Sequence, residues 1–157
     1  MSHGKSRRCA LGFSLVELIC VLTTIAVMGG IAAPRYAAAA AHYRADATTC
    51  RIVADLRLAQ ANARATSVAQ TLTFNTTNQR YQLSNIASLD NRSSSTYTVD
   101  LTASPYNAIL TSVSFAGGQI SFDNFGIPNA GGTIVIRTST IQKTITVDGS
   151  SGQIVIQ

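Results

Sequence analysis

The chain has 157 residues and a formal net charge of +5. This length is enough for one modest domain beside a membrane helix and excludes a second core. Lys5, Arg7 and Arg8 lie in a short N-terminal segment, and without them nine basic residues face seven acidic ones. The basic isoelectric point therefore gives no indication of nucleic-acid binding.

An apolar segment follows this basic start. Residues 13–33 carry Glu17 as their only charge and, as a helix rising about 1.5 Å per residue, would span roughly 31 Å, the thickness of bilayer hydrocarbon. We expect a transmembrane helix over residues 13–35, preceded by a basic leader of residues 1–12. Placing Glu17 in hydrocarbon costs about 2.5 to 3.5 kcal/mol on insertion scales, which indicates that it has a partner.

An ordinary secretory signal is the alternative for this segment, with cleavage inside the alanine run at residues 37–41. Cleavable signals have apolar regions of about 7 to 15 residues, which is shorter than the segment present here. Its length and the carboxylate of Glu17 favour a helix that the mature protein retains.

The residues around Gly12 resemble the class III signal of type IV pilins and type II secretion pseudopilins, with a basic leader, then Gly12 and Phe13, then Glu17. The resemblance implies that a prepilin peptidase cleaves after Gly12 and that the new amine of Phe13 is methylated. It also implies a role for Glu17 in assembly or processing. In a filament, the amine of one subunit and Glu17 of a neighbour would neutralise each other.

Pro34 ends the apolar segment and is predicted to kink the helix, because proline removes a backbone donor and crowds the preceding turn. Residues 36–67 contain no glycine or proline, so we expect an amphipathic helix there. Four apolar residues share one face at three- and four-residue spacing: Ile52, Leu56, Ala59 and Ala63. This face is predicted to pack on a sheet, with another subunit's helix as the alternative.

The cysteines offer no internal disulfide. Cys9 belongs to the leader, and thirty residues of helix would hold Cys20 and Cys50 about 45 Å apart, whereas a disulfide tolerates about 7 Å between Cα atoms. In an exported domain Cys50 would stay free, either buried or able to link two copies of the chain.

From Val68 onward the sequence is rich in Thr, Ser, Val and Ile with frequent turn residues, which indicates β-strands. A hairpin is predicted directly after the helix, with its turn at residues 76–78, and residues 85–95 are predicted to form an exposed loop. Further strands are predicted in six segments: 97–101, 109–115, 120–122, 133–137, 141–147 and 153–156. The predicted fold class is α+β, a long N-terminal helix packed on an antiparallel domain of one or two sheets over residues 68–157.

The helix end and the C-terminal strands are similar to those of the GspH/FimT family of minor pseudopilins and minor pilins. One part of the similarity is the Ala-Arg-Ala sequence at residues 63–65, followed directly by a hairpin. The other part is the group Phe122, Gly126 and Pro128, with a last strand after Gly152. The similarity implies a pilin-like fold and a structural role in a filament.

The sequence contains no pattern typical of catalysis. His42 is the one histidine outside the leader, and neither a cysteine–histidine cluster nor a serine–histidine–carboxylate set is present. Residues 123–126 and 148–152 place aspartate beside glycine, which raises calcium binding as an alternative, but tight turns explain the same residues. We expect no enzymatic activity, no metal and no cofactor.

We therefore expect a minor pseudopilin or minor pilin, inserted once in the bacterial inner membrane with its C-terminal domain in the periplasm. Its expected partners are prepilin peptidase, the membrane and other pilin-like subunits. A membrane-anchored exported β-domain protein outside any filament is one alternative.

A DNA-capturing minor pilin for natural transformation is the other alternative. In such relatives the DNA-binding end resembles a Gly-Arg-x-Arg turn and strand at the C-terminus. This chain has Gly152, Gln153 and Val155 at the positions of the glycine and the two arginines. DNA binding is not expected, because phosphate neutralisation dominates DNA affinity and both arginines are missing. Their absence also favours a secretion pseudopilus over a type IV pilus.

Overall fold

The computed structural model describes residues 14–86 and 97–157. These residues form one long helix, α1 (Leu15–Thr66), followed by eight strands and a short 3-10 helix (Ala116–Gly118) between the fourth and fifth strands. The strands are β1 (Gln70–Asn75), β2 (Arg80–Leu83), β3 (Tyr97–Asp100), β4 (Ile109–Val113), β5 (Gln119–Phe122), β6 (Gly132–Thr138), β7 (Ile141–Val147) and β8 (Ile154–Ile156). The chain divides into two compact units, of which the first ends at Ala38 and the second comprises Ala39–Gln157.

The predicted membrane helix and the predicted amphipathic helix are continuous in the structure, since α1 runs through Pro34. Alanine and arginine are the commonest residues of its second half, residues 39–66, and both have high helix propensity. Ser67 follows the helix with a positive φ of 55°, a conformation that commonly ends helices.

All strand pairings are antiparallel, and they form the pair of sheets that was one of the two predicted arrangements. The first sheet has the order β3-β2-β1-β5, and the second has the order β4-β6-β7-β8. The predicted hairpin is confirmed as β1 and β2, which pair Leu72 with Leu83 and Phe74 with Tyr81. Of the predicted loop at 85–95, residues 87–95 lie outside the described residues.

One core joins the second half of α1 to both sheets. The predicted apolar face of the helix is confirmed, because Ile52, Leu56, Ala59 and Ala63 have no exposed surface. Alternating residues of the strands meet this face, as expected where each sheet has one buried side. The first sheet contributes Leu72, Phe74, Tyr81, Leu83, Tyr97, Val99, Ile120 and Phe122, and the second contributes Leu110, Ile134, Ile136, Ile145, Val147 and Ile154. The α+β, pilin-like fold class is therefore confirmed.

Candidate functional site

The first turn of α1 is fixed by Ser14, the residue just before the helix. The Glu17 backbone N–H donates to Ser14 Oγ at 3.2 Å, and the Leu18 N–H donates to the Ser14 carbonyl at 3.2 Å. Serine at this position satisfies a backbone donor that the helix cannot pair internally. Sequence reasoning missed this cap, although serine followed three residues later by glutamate is a recognised helix-start pattern.

The first half of α1, residues 15–38, is mostly apolar, and every one of its residues is exposed. Met28 is 72% exposed and Leu15 is 75% exposed. An 18-residue window of this helix has a mean hydropathy of 2.2, with none of its residues buried, and the helix is long and apolar enough to cross a membrane. An exposed apolar surface of this length is typical of segments that contact lipid or other proteins.

The polar atoms of this half are compatible with such surroundings. The hydroxyl of Thr23 donates to the Cys20 carbonyl at 2.9 Å, and the hydroxyl of Thr24 donates to the Val21 carbonyl at 2.8 Å. Both hydroxyls are therefore satisfied within the helix, as hydrocarbon requires. A Cβ atom added at Gly29 or at Gly30 would meet nothing within 4 Å, so this part of α1 is open to close approach by another helix.

The predicted site residues lie at or near this half. Glu17 is exposed in the first turn of α1, and within residues 14–86 and 97–157 no side chain pairs with its carboxylate. A carboxylate in a first turn is stabilised by the helix dipole. Pro34 lies inside α1. Gly12 and Phe13 lie outside the described residues, so the cleavage and methylation sites stay predictions.

The second half of α1 contains a buried polar cluster that sequence reasoning did not identify. Asp55, only 4% exposed, accepts hydrogen bonds from the phenols of Tyr81 and Tyr97, the latter at 2.6 Å. Arg51 Nε donates to Asp55 at 3.1 Å, and its Nη2 donates to the Tyr97 hydroxyl at 2.8 Å. The cluster thus connects α1 to β2 and β3.

Burial raises the pKa of Tyr81 and of Tyr97 above the usual value, and the carboxylate of Asp55 beside them raises it further. Both phenols therefore stay protonated as donors to Asp55. The cluster satisfies its own donors and acceptors, so it stabilises the packing of α1 on the first sheet.

Two tight turns hold the end of α1 in place. Gln60 Nε2 donates to the Gly126 carbonyl at 2.8 Å, and Arg64 Nε donates to the Phe125 carbonyl at 2.8 Å. Gly126 has a φ of +75°, and a Cβ atom there would lie 2.3 Å from Arg64 Nε, so the turn requires glycine. Gly152 likewise has a positive φ and packs against Gln60.

These same turns contain the aspartates considered for calcium. Asp123 Oδ1 accepts the backbone N–H groups of Phe125 and Ile127, at 2.9 and 2.8 Å. Asp148 Oδ1 accepts the hydroxyl of Ser150 and the backbone N–H groups of Ser151 and Ser150, and these bonds lower the pKa of Asp148 to about 2. Each carboxylate stabilises its own turn, and no group of three potential metal ligands occurs among the described residues.

The remaining residues singled out from the sequence are on the surface. His42 is exposed on α1, and the thiols of Cys20 and Cys50 are free and exposed, so Cys50 is not buried. Gln153 and Val155, which occupy the positions of the DNA-binding arginines, are exposed at β8. These two positions offer no positive charge to a phosphate.

The chain matches a protein-family model. The model of the family described as type II transport protein GspH matches residues 48–152, from the buried half of α1 to the turn before β8. No curated protein and no solved structure matches the chain significantly.

Proposed function

Because the chain belongs to the family of type II transport protein GspH, we propose that it is a minor pseudopilin, a structural and non-enzymatic subunit of a type II secretion filament. The observation that carries this proposal is the division of α1. Its second half packs in the family's domain, and its first half exposes an apolar surface long enough to cross a membrane.

In this proposal α1 crosses the bacterial inner membrane once, and the unit Ala39–Gln157 lies in the periplasm. Prepilin peptidase cleaves after Gly12, and the amine of Phe13 is methylated. The position of the cap supports this processing site. Since Ser14 caps a helix that begins at Leu15, cleavage after Gly12 would leave a new amine just before the first turn, near Glu17.

Glu17 then acts in assembly by neutralising the terminal amine of a neighbouring subunit. Its carboxylate is exposed and without a partner among residues 14–86 and 97–157, which supports an intermolecular partner. The subunits pack through the apolar half of α1, where the open surface at Gly29 and Gly30 allows helices to approach closely.

A complementation experiment tests the assembly role. A strain lacking the chain is complemented with wild type, Glu17→Ala or Glu17→Gln. Both variants should be inserted and cleaved, because removing a charge makes the span more apolar, but they should be missing from purified filaments. Asp46→Ala, which removes an exposed carboxylate from the other half of α1, is the control and should assemble normally. Normal incorporation of Glu17→Gln would contradict the pairing.

The same deletion strain distinguishes secretion from a type IV pilus. We expect export of secreted enzymes to fall while DNA uptake and twitching motility continue. Loss of uptake or twitching with normal export would instead assign the chain to a pilus.

A further inference from the structure

The last strand, β8, is a sheet edge whose backbone is available for pairing. Gln157 exchanges two backbone hydrogen bonds with Thr144 of β7, at 3.0 and 2.8 Å, and the Asp148 N–H donates to the Gln153 carbonyl at 2.9 Å. Because the bonded residues alternate along an antiparallel strand, Val155 also faces β7. The N–H and C=O groups of Ile154 and Ile156 therefore point away from the sheet.

Two other sheet edges, β5 and β4, are protected by hydrogen bonds. At β5, the Asn129 N–H donates to the Ser121 carbonyl at 2.8 Å, and the Ser121 N–H donates to Asn129 Oδ1 at 3.0 Å. At β4, the side-chain amide of Gln79 pairs with both backbone groups of Leu110, as a neighbouring strand would. At β8 no such bond reaches the outward groups of Ile154 and Ile156 from residues 14–86 or 97–157.

The side chains of β8 also lack the features that usually prevent strands from associating. Edge strands are commonly protected by charged residues, proline or a bulge. Residues 153–157 have the sequence Gln-Ile-Val-Ile-Gln, which contains no charged side chain and no proline. Val155 is 43% exposed and Ile156 is 44% exposed, so the strand offers apolar surface beside its unpaired backbone.

We propose that β8 pairs with β8 of a second copy of this chain, antiparallel and about a two-fold axis at Val155. The sequence of residues 153–157 is palindromic, so this axis places each residue opposite its own kind. Ile154 of each copy faces Ile156 of the other, and their outward backbone groups form four hydrogen bonds. A two-fold interface requires a self-complementary surface, and the palindrome provides one at β8.

The pairing also covers exposed apolar surface. Ile154 belongs to the buried core, whereas Ile156, on the same side of the strand, is 44% exposed. In the dimer, Ile156 of one copy lies beside Ile154 of the other and extends the core face across the two-fold axis. Two short strands form a small contact, so anchoring both copies in one membrane strengthens it by raising their effective concentration.

Disulfide formation in the full chain, reconstituted in lipid vesicles, tests the proposal. In a background without Cys9, Cys20 and Cys50, the Val155→Cys variant carries one thiol at the two-fold axis. The two Val155 residues would form a non-hydrogen-bonded antiparallel pair. Cα atoms in such pairs lie about 4.5 Å apart, within the range of a disulfide. We expect Val155→Cys to form dimers at least about tenfold faster than Val68→Cys, a control that replaces another exposed valine.

A second substitution tests the backbone bonds. Adding Ile156→Pro to Val155→Cys removes the outward N–H of each copy without removing a bond to β7, and we expect the dimerisation rate to fall about tenfold or more. Adding Ile156→Val, which keeps the N–H, should change the rate less than about twofold. Near-ultraviolet circular dichroism checks that the variants are folded. Equal rates for the two cysteine positions, or no effect of Ile156→Pro, would overturn the proposal.

Discussion

The two halves of α1 differ in what surrounds their apolar side chains. In residues 15–38 every side chain is exposed, including leucine, valine and isoleucine, whereas in the second half Ile52 and Leu56 have no exposed surface. The second half completes its own core within the chain. The first half leaves its apolar surface for lipid or other subunits, and this difference separates the part that folds the domain from the part that we propose inserts and assembles.

A buried charge should give the largest contrast between the halves. Ile52→Asp places an unpaired carboxylate in the core, and we expect it to lower the free energy of unfolding by more than about 4 kcal/mol. Leu22→Asp, at a position 57% exposed, should leave that free energy within about 0.5 kcal/mol of wild type. It should instead reduce membrane insertion, since a central aspartate costs about 2.5 to 3.5 kcal/mol there. Urea unfolding in micelles and carbonate extraction of membranes measure the two effects.

Two aspartates of the second half sharpen the comparison. Asp55→Ala leaves Tyr81, Tyr97 and Arg51 without their shared acceptor, and we expect a loss of about 3 to 5 kcal/mol in unfolding free energy. Asp46 is 61% exposed and pairs with Lys143 at the surface, so Asp46→Ala should cost less than about 1 kcal/mol. Similar urea midpoints for the two variants would show that the buried cluster contributes no more than a surface pair.

The same Ala→Leu substitution in each half of α1 tests packing, because the change in helix propensity is equal at the two positions. Ala63 has no exposed surface, so Ala63→Leu overpacks the core and should cost about 1 to 3 kcal/mol. Ala37 is exposed in the first half, and Ala37→Leu should leave the unfolding free energy unchanged. Thermal unfolding followed by circular dichroism measures both, and destabilisation by Ala37→Leu would contradict the separation of the two halves.

Alkaline pH should weaken the packing of the second half of α1 on the first sheet, where Tyr81 and Tyr97 bind Asp55. Tyr81 and Tyr97 have raised pKa values when folded, so the unfolded chain loses their protons first, above about pH 10. Stability is therefore complete below that pH and falls above it by about 1.4 kcal/mol per pH unit for each tyrosine. Tyr81→Phe should reduce the slope of stability against pH by about 1.4 kcal/mol per pH unit, the contribution of one tyrosine. An unchanged slope would show that the Tyr81 phenol does not control the alkaline loss.

The sequence predicted the parts of this structure that depend on local patterns. Alternation from Leu72 onward located the strands, and three- and four-residue spacing identified the buried face of α1. The Asp55 cluster escaped prediction because its partners are 26 and 42 residues away along the chain and meet only when β2 and β3 pair. A local pattern marks Asp55 only as a polar residue inside a helix.

Pro34 shows another limit of local rules. The local rule for proline predicts a kink, yet it does not say whether helix continues beyond it, and α1 continues for 32 more residues to Thr66. Whether the helix bends at Pro34 stays a prediction. The same holds for Gly12 and Phe13, whose roles depend on a peptidase and not on the fold.

The N-terminus of the mature protein tests the central claim, that the exposed half of α1 is retained for assembly, most directly. We predict that mass spectrometry of the protein purified from membranes finds an N-terminal peptide that begins at Phe13 and carries one added methyl group. A mature N-terminus within residues 38–42 would mean that the apolar half is a disposable signal, and it would contradict the account.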